Sequence, residues 1–235
     1  LIEALPRLMA RAVSPAVSAW YADLHTRHGV RLLLETGVTG FSGADGRVTA
    51  VETSAGPIAA DLVVVGVGVI PDDELARACG LVCDRGVVVD GCSRTSDPSI
   101  VALGDCTARR LADGSLLRLE SVQNAVEQAK SGAAWLMGKE RLFTASPWFW
   151  SDQYDVKLQM VGLSAGQDRA VTVGSPEEGR FSILYWRGGR FVAVDSINRP
   201  SDHMAARKLL DRGTDLTADE AAEPGFDLAA RARAV

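Results

Sequence analysis

The sequence contains no apolar run near the roughly 18 residues that a membrane-crossing helix requires, and no signal peptide opens it. Its four cysteines (Cys79, Cys83, Cys92 and Cys106) lack CxxC spacing and have no histidines beside them. That argues against a zinc site or a dithiol centre, and for reduced thiols in a cytoplasmic setting. A net charge of −5 gives no global electrostatic reason to bind nucleic acid. Internal repeats and low-complexity linkers are missing. So is the G-x-G-x-x-G loop whose backbone cradles the phosphates of a dinucleotide. The first residue is not methionine: the chain opens on "LIEALPRLMA", which reads as the end of an apolar strand. What remains is a 235-residue, 47% hydrophobic and 23% charged chain, a globular composition with room for one large or two ordinary domains.

Local patterning divides that chain into two textures. Ser14 and Pro15 supply a cap and a first-turn proline for a helix carrying Val17, Trp20, Tyr21 and Leu24, which Gly29 can end. "VRLLLE" (30–35) reads as a buried strand. Asp45-Gly46 and Gly56-Pro57 give a small antiparallel insertion between 38 and 60. "DLVVVGVGVIP" (61–71) has the continuous apolar character of a strand covered on both faces. "DDELARACG" is a short helix capped by Asp72 and stopped by Gly80, and "GVVVD" (86–90) and "SIVAL" (99–103) are strands. The helix over 120–138 is the strongest in the chain. Ser121 is its cap, and Val122, Val126, Ala129, Ala133 and Leu136 form an apolar stripe expected to face the core.

From Pro147 onward the pattern alternates. "VKLQM" (156–160), "RAVTV", "RFSILYW" and "RFVAV" are half-buried strands, with a hairpin at Gly188-Gly189. A helix follows Ser201, and an alanine-rich tail follows Thr217. This is an antiparallel α+β unit.

The chemistry-bearing positions are few. Gly104-Asp105 follows an apolar strand, where a glycine permits close approach and a carboxylate can accept from sugar hydroxyls; a bare Gly-Asp, taken alone, reads first as a helix or turn cap. Glu3 closes a strand, as the acidic residue that holds an adenosine ribose does, although any strand can end in glutamate. Gly66 and Gly68 permit either a ligand or close backbone packing. Glu120 is either a solvated first-turn charge or a site residue. No residue reads as a nucleophile or general base.

Longer stretches carry a resemblance. "CSRTSDPSIVALGDCTA" closely resembles the second FAD-binding motif of the two-dinucleotide-binding flavoprotein reductases. "LRLESVQNAVEQAK" (117–130) and "PWFWSDQYDVKLQMVGLS" (147–164) look like the ferredoxin reductases that serve Rieske dioxygenases and bacterial cytochrome monooxygenases, from residue 1 to about 212. The resemblance implies an α/β fold. Partial Rossmann-like NADH (1–70) and FAD (71–146) domains precede an α+β antiparallel-sheet domain (147–235). It implies that Asp105, beside Gly104, bonds the ribityl chain of FAD. Ser121 and Val122 lie at the flavin pyrimidine ring, Glu120 near the nicotinamide, and Trp150 rather than Trp148 beside the flavin. Glu3 and Arg11, with Arg7 as a further candidate, hold the NADH adenosine side, and Gly66 and Gly68 pass near the nicotinamide nucleotide. The arginines leave NADPH open.

The implied reaction is reduction of FAD by NADH, then single-electron transfer to a 2Fe–2S ferredoxin serving an oxygenase. Arg187, Arg190, Arg199, Arg207 and Lys208 are docking candidates for that acidic partner. Both phosphate loops of the family precede the stretch matched here. The chain is therefore expected to be the carboxyl-terminal part of a reductase of roughly 400 residues, with exposed sheet edges and weakened cofactor binding. Two rivals stay open: a related NADH oxidase or rubredoxin reductase, and an inert fragment or dimerisation module. Whether the chain forms a homo-oligomer also stays open.

Overall fold

In the computed structural model, which describes residues 1–235, the chain divides into two units, Leu1–Gly68 and Val69–Val235. In the first, helix α1 (Pro15–Arg27) begins where its cap dictates: Ser14 Oγ accepts the Val17 N–H at 3.4 Å. Val17, Tyr21 and Leu24 bury its inner face. The segment after it folds as an antiparallel sheet of β1 (Val38–Ala44), β2 (Arg47–Thr53) and β3 (Ile58–Ala59), in that spatial order. Asp45 (φ +55°) and Gly46 (φ +75°) are both left-handed, the two-residue turn whose twist matches a hairpin.

The second unit starts with α2 (Glu74–Ala78); Asp73 stands at its cap position and pairs its carboxylate with Arg77 at 2.8 Å, while Asp72 Oδ1 accepts the Glu74 N–H at 3.4 Å. Strands β4 (Val87–Val89) and β5 (Thr107–Arg110) pair in parallel, and β6 (Leu116–Leu117) adds antiparallel to β5. Helix α3 (Val122–Leu136) follows. A five-stranded antiparallel sheet then forms from β7 (Trp148–Gln153), β8 (Val156–Gly162), β9 (Arg169–Ser175), β10 (Arg180–Arg187) and β11 (Arg190–Ile197), in spatial order β7-β8-β11-β10-β9. Gly188 (φ +55°) and Gly189 (φ +77°) make the β10–β11 turn. The change of texture at Pro147 thus falls between the two sheets, inside the second unit.

Three expected strands are corrected. Residues 30–35 contribute one parallel bridge, Ile2 to Leu33, in which the Leu33 N–H donates to Leu1 O and the Glu3 N–H to Leu33 O, both at 2.9 Å. Residues 99–103 contribute one bridge, Val101 to Arg94. Residues 61–71 pair with nothing and lie open, Val64 at 87% and Ile70 at 93% exposure. An antiparallel strand finds its neighbour a few residues along the chain, whereas a parallel one needs a partner a dozen or more residues away. For 61–71, no strand of residues 1–235 provides it.

One face of the large sheet packs on three helices. These are α4 (Pro200–Asp211), α5 (Ala218–Ala221) and α6 (Leu228–Arg233). Val161, Leu184, Trp186 and Val194 meet Ala206, Leu209, Leu216 and Leu228 there, all essentially buried. The Trp186 indole N–H donates to Leu216 O at 2.6 Å, so this large ring is buried without an unpaired donor. Each buried leucine contributes about 1.5–3 kcal/mol. Helix α4 starts at Pro200, just ahead of Ser201, and Arg199 at its cap makes no side-chain cap bond. In its first turn the buried Asp202 is held by Arg199 Nε at 2.7 Å and the Ser182 hydroxyl at 2.8 Å.

Two buried titratable groups oppose each other in pH dependence. Burial pushes the Asp195 carboxyl up to about 6, partly offset by the Tyr185 hydroxyl that donates to it at 2.7 Å. Burial, with the Arg207 cation nearby, pulls His203 down to about 4. Between the ordinary aspartate value of 3.8 and about 6, the folded state holds the Asp195 proton more tightly than the unfolded chain, so that contribution falls as pH rises. His203 does the reverse between about 4 and 6.5, where the unfolded chain binds the extra proton, so its contribution rises with pH. Each is worth on the order of 3 kcal/mol. In urea unfolding across pH 4 to 7, Asp195→Asn is expected to leave a stability that climbs with pH, while the parent stays comparatively flat. Parallel profiles for the two proteins would overturn this assignment.

Candidate functional site

The Gly104-Asp105 turn is built by its neighbours rather than by its own side chains. Gly104 sits at φ +82°, and its N–H donates at 2.6 Å to Gln128 Oε1, two helical turns into α3. The Thr107 hydroxyl donates to Gly104 O at 2.8 Å and accepts from Gln128 Nε2 at 2.9 Å. Asn124 Nδ2 donates to Gln128 Oε1 and to Leu119 O, at 3.3 and 3.0 Å. Asp105 is exposed and its carboxylate accepts no hydrogen bond from the chain. It is therefore not a cap: the turn is satisfied without it, and an acceptor group is left facing outward.

Helix α3 begins beside this turn. Ser121 Oγ accepts the Asn124 N–H at 3.1 Å, so Val122 and Gln123 are left with the unpaired N–H groups of a helix start, the positive end of its dipole. The expected inward stripe is corrected. Val122 (62%), Val126 (45%) and Leu136 (68%) are exposed, while Gln123, Asn124, Gln128, Ser131 and Gly132 are buried. Helix α3 packs through its amides because the Gly104 turn offers backbone donors and acceptors that apolar side chains cannot satisfy. Gly132 belongs to the same contact, since a Cβ there would lie 2.8 Å from Leu103 Cδ2.

Glu120, just before the helix, is exposed and pairs with Arg118 at 2.6 Å, so it is an ion-pair partner rather than a freely solvated charge. Strand β7 is tied to the same helix start by the Trp148 N–H, which reaches Gln123 Oε1 at 3.4 Å. Trp148 is hemmed in by Arg207 (4.9 Å over its ring) and His203 (centroids 5.9 Å apart). The Trp150 ring lies tilted against it with centroids 5.6 Å apart and keeps 38% of its surface, which makes it the available ring of the pair.

In the first unit Glu3 is half-buried, with one carboxylate oxygen accepting the Leu5 N–H at 2.9 Å. Arg7 is corrected as a site residue. Its guanidinium is consumed by Val13 O, Ala10 O and Ser18 Oγ, all at 2.7 Å. Arg11 is exposed and lies against Gly68, where a Cβ would come within 3.0 Å of Arg11 Nη2. Gly68 (φ +93°) thus has both a backbone and a neighbour that favour glycine, while Gly66 faces open space and close packing does not explain it. Among the docking arginines and lysine, Arg187 bonds Ala165 O, Arg199 pairs with Asp202, and Lys208 bonds Ala232 O. Arg190, at the hairpin, is exposed and makes no ion pair.

An outward carboxylate, a helix start with free N–H groups and an exposed indole suit the flavin half of a dinucleotide. The first can take ribityl hydroxyls, the second the electron-rich pyrimidine edge, the third a ring face. Sequence reasoning missed Gln128, Asn124 and Thr107. The available signal was a helix face bearing amides instead of Lys and Glu, a composition that buries if every amide is paired.

Residues 1–129 match the pyridine nucleotide-disulphide oxidoreductase family, and residues 148–232 match the reductase C-terminal family. The chain is 49% identical over 230 residues to rhodocoxin reductase of Rhodococcus erythropolis, covering 97% of this chain and 54% of that protein. Its fold superposes on a ferredoxin reductase from Rhodopseudomonas palustris with TM-score 0.94 at 43% identity, covering 98% of this chain and 58% of that one. It also superposes on a covalent putidaredoxin reductase–putidaredoxin complex with TM-score 0.93 at 40% identity, covering 100% and 58%. The chain therefore spans little more than half the length of these relatives.

Substitution of Gly104 isolates the backbone requirement, because a Cβ there would meet only Ala125 Cβ at 3.7 Å, an ordinary contact. Gly104→Ala is expected to cost about 1–2 kcal/mol from the left-handed backbone alone, read by thermal unfolding; a loss under about 0.5 kcal/mol would mean the turn relaxes freely.

Proposed function

The chain belongs to the pyridine nucleotide-disulphide oxidoreductase family, and we propose that it forms the carboxyl-terminal part of an NADH-dependent ferredoxin reductase. In this reading residues 1–70 end the NADH domain, 71–146 end the FAD domain, and 147–235 form the interface domain. The match of 148–232 to the reductase C-terminal family supports ferredoxin, rather than a disulphide, as the electron acceptor. The ferredoxin partner draws further support from the likeness to the putidaredoxin reductase–putidaredoxin complex. The absence of any helix long and apolar enough to cross a membrane is compatible with a cytoplasmic setting.

The chemistry that FAD supplies when bound is to take a hydride from NADH and release its two electrons singly to 2Fe–2S ferredoxin. The residues of this chain bind and orient. Asp105 accepts from the ribityl hydroxyls, with Gly104 allowing the close approach. Ser121 caps the helix through the Asn124 N–H, and the Val122 N–H left open at the helix start would meet the pyrimidine edge and stabilise developing negative charge there. Trp150, the exposed indole of its pair, would lie beside the flavin ring. Glu120, braced by Arg118, borders the nicotinamide. Glu3 and Arg11 hold the adenosine ribose and phosphates, with Gly66 and Gly68 leaving room for the nicotinamide nucleotide. NADH is favoured over NADPH because a carboxylate at Glu3 repels a 2′-phosphate. Arg190 is the best-placed docking cation.

The observation that carries this reading is the Asp105 carboxylate, unpaired and outward, on a turn that is fully satisfied without it. Visible absorption of the gene's full-length product, with FAD added, is the direct test. A flavin band bleached by NADH, and FAD affinity weakened by about tenfold or more in Asp105→Ala, is the expected outcome. A product that stays colourless, or an Asp105→Ala protein with unchanged affinity, would sink the assignment.

A further inference from the structure

Every polar atom of the Gln128 side chain is used on the Gly104-Asp105 turn and its supports. Oε1 takes the Gly104 N–H at 2.6 Å and Asn124 Nδ2 at 3.3 Å, and Nε2 donates to the Thr107 hydroxyl at 2.9 Å. Its backbone O accepts from the Ser93 hydroxyl at 3.2 Å, so both ends of the segment from Ser93 to Thr107 are fastened at this one residue. Gln128 is 1% exposed and Asn124 3%, which leaves no water to replace these bonds. Gln128 also rides on the helix whose first residues, Ser121 and Val122, stand at the other flavin contact.

We infer that Gln128 is a positioning residue for the flavin: through the Gly104 N–H and the Thr107 hydroxyl it sets Asp105 at a fixed distance from the start of helix α3. This rests on the reading of Asp105 given above and extends it. A helix is a stiff ruler of about 1.5 Å per residue. Mounting the turn on Gln128 therefore ties the ribityl acceptor and the pyrimidine-edge donors into one rigid piece. Ligand affinity gains because neither contact has to be ordered on binding. The segment that carries Asp105 is held by one β-bridge at Val101 and by the Val87 N–H on Cys106 O at 2.8 Å, while the N–H of Gly104, the residue just before Asp105, is held by the Gln128 amide.

The test is a double-substitution cycle in the full-length product, stripped of FAD and titrated with FAD while flavin fluorescence is followed. Gln128→Met keeps the length of the side chain and removes its hydrogen bonds. Alone, it should raise the dissociation constant for FAD about tenfold and change the visible circular dichroism of the bound flavin. In an Asp105→Ala background it should change affinity less than about twofold, because the contact through which it acts is already gone. Equal effects in both backgrounds, or no effect of Gln128→Met on affinity, would show that the amide only stabilises the fold. If Asp105→Ala leaves FAD affinity unchanged, the reading of Asp105 fails together with this inference; if it weakens binding while Gln128→Met adds independently, only the inference fails. Should Gln128→Met not fold, Thr107→Val cuts the same clasp from the turn side, and the same pattern of non-additivity with Asp105→Ala is required.

Discussion

The Gly104 N–H, half-buried on a left-handed turn, has no backbone carbonyl as its partner and must still find an acceptor. At Gly104 that acceptor is the Gln128 amide, and much of the second unit's architecture follows from meeting this requirement. Helix α3 turns its amides inward, which forces its apolar stripe outward. Gly132 must stay without a side chain so that Leu103 can approach. Strand β7 hangs from the same helix through Gln123, so the aromatic pair Trp148 and Trp150 is registered against the Gly104 turn rather than against its own sheet alone.

The large sheet answers to a different constraint. Its helical face is an ordinary apolar core, with Trp186 anchored by one hydrogen bond. Its polar groups are the exception, and their charges are managed by placement. Arg199 and Ser182 hold Asp202, Tyr185 holds Asp195, and His203 is kept neutral between burial and a neighbouring cation. Because the Asp195 and His203 contributions run in opposite senses over the same acidic range, the domain is buffered against the pH sensitivity that either group alone would impose.

Legibility in the sequence followed the range of the interaction. The hairpins at Asp45-Gly46 and Gly188-Gly189, the caps Ser14 and Ser121 and the alternating strands after Pro147 are written within a few residues and could be read directly. The strands at 30–35, 61–71 and 99–103 were misjudged because an apolar run records a need for neighbours without providing them. In the candidate site, Gly104 and Asp105 were visible as a strand end. Their support by Gln128, 24 residues on, was not, since the hydrophobic period of α3 pointed to the opposite face. The same blindness applied to Arg7, whose role in fastening Val13, Ala10 and Ser18 has no sequence signature.

The unpaired stretch at residues 61–70 has a consequence for the physical behaviour of this chain. "LVVVGVGVI" combines high β propensity with no charge and no proline, the composition from which cross-β stacks are built. With Val64 and Ile70 facing solvent, the strand partner that is always on hand is the same stretch of another molecule. Self-association through these residues then grows with concentration wherever the stretch is without neighbouring strands of its own. The flanking acids Asp61, Asp72 and Asp73, with Pro71 between them, act as gatekeepers: stacking in register would pile like charges on top of one another at both ends. Salt that screens those carboxylates would remove the restraint and leave the valines to nucleate the aggregate.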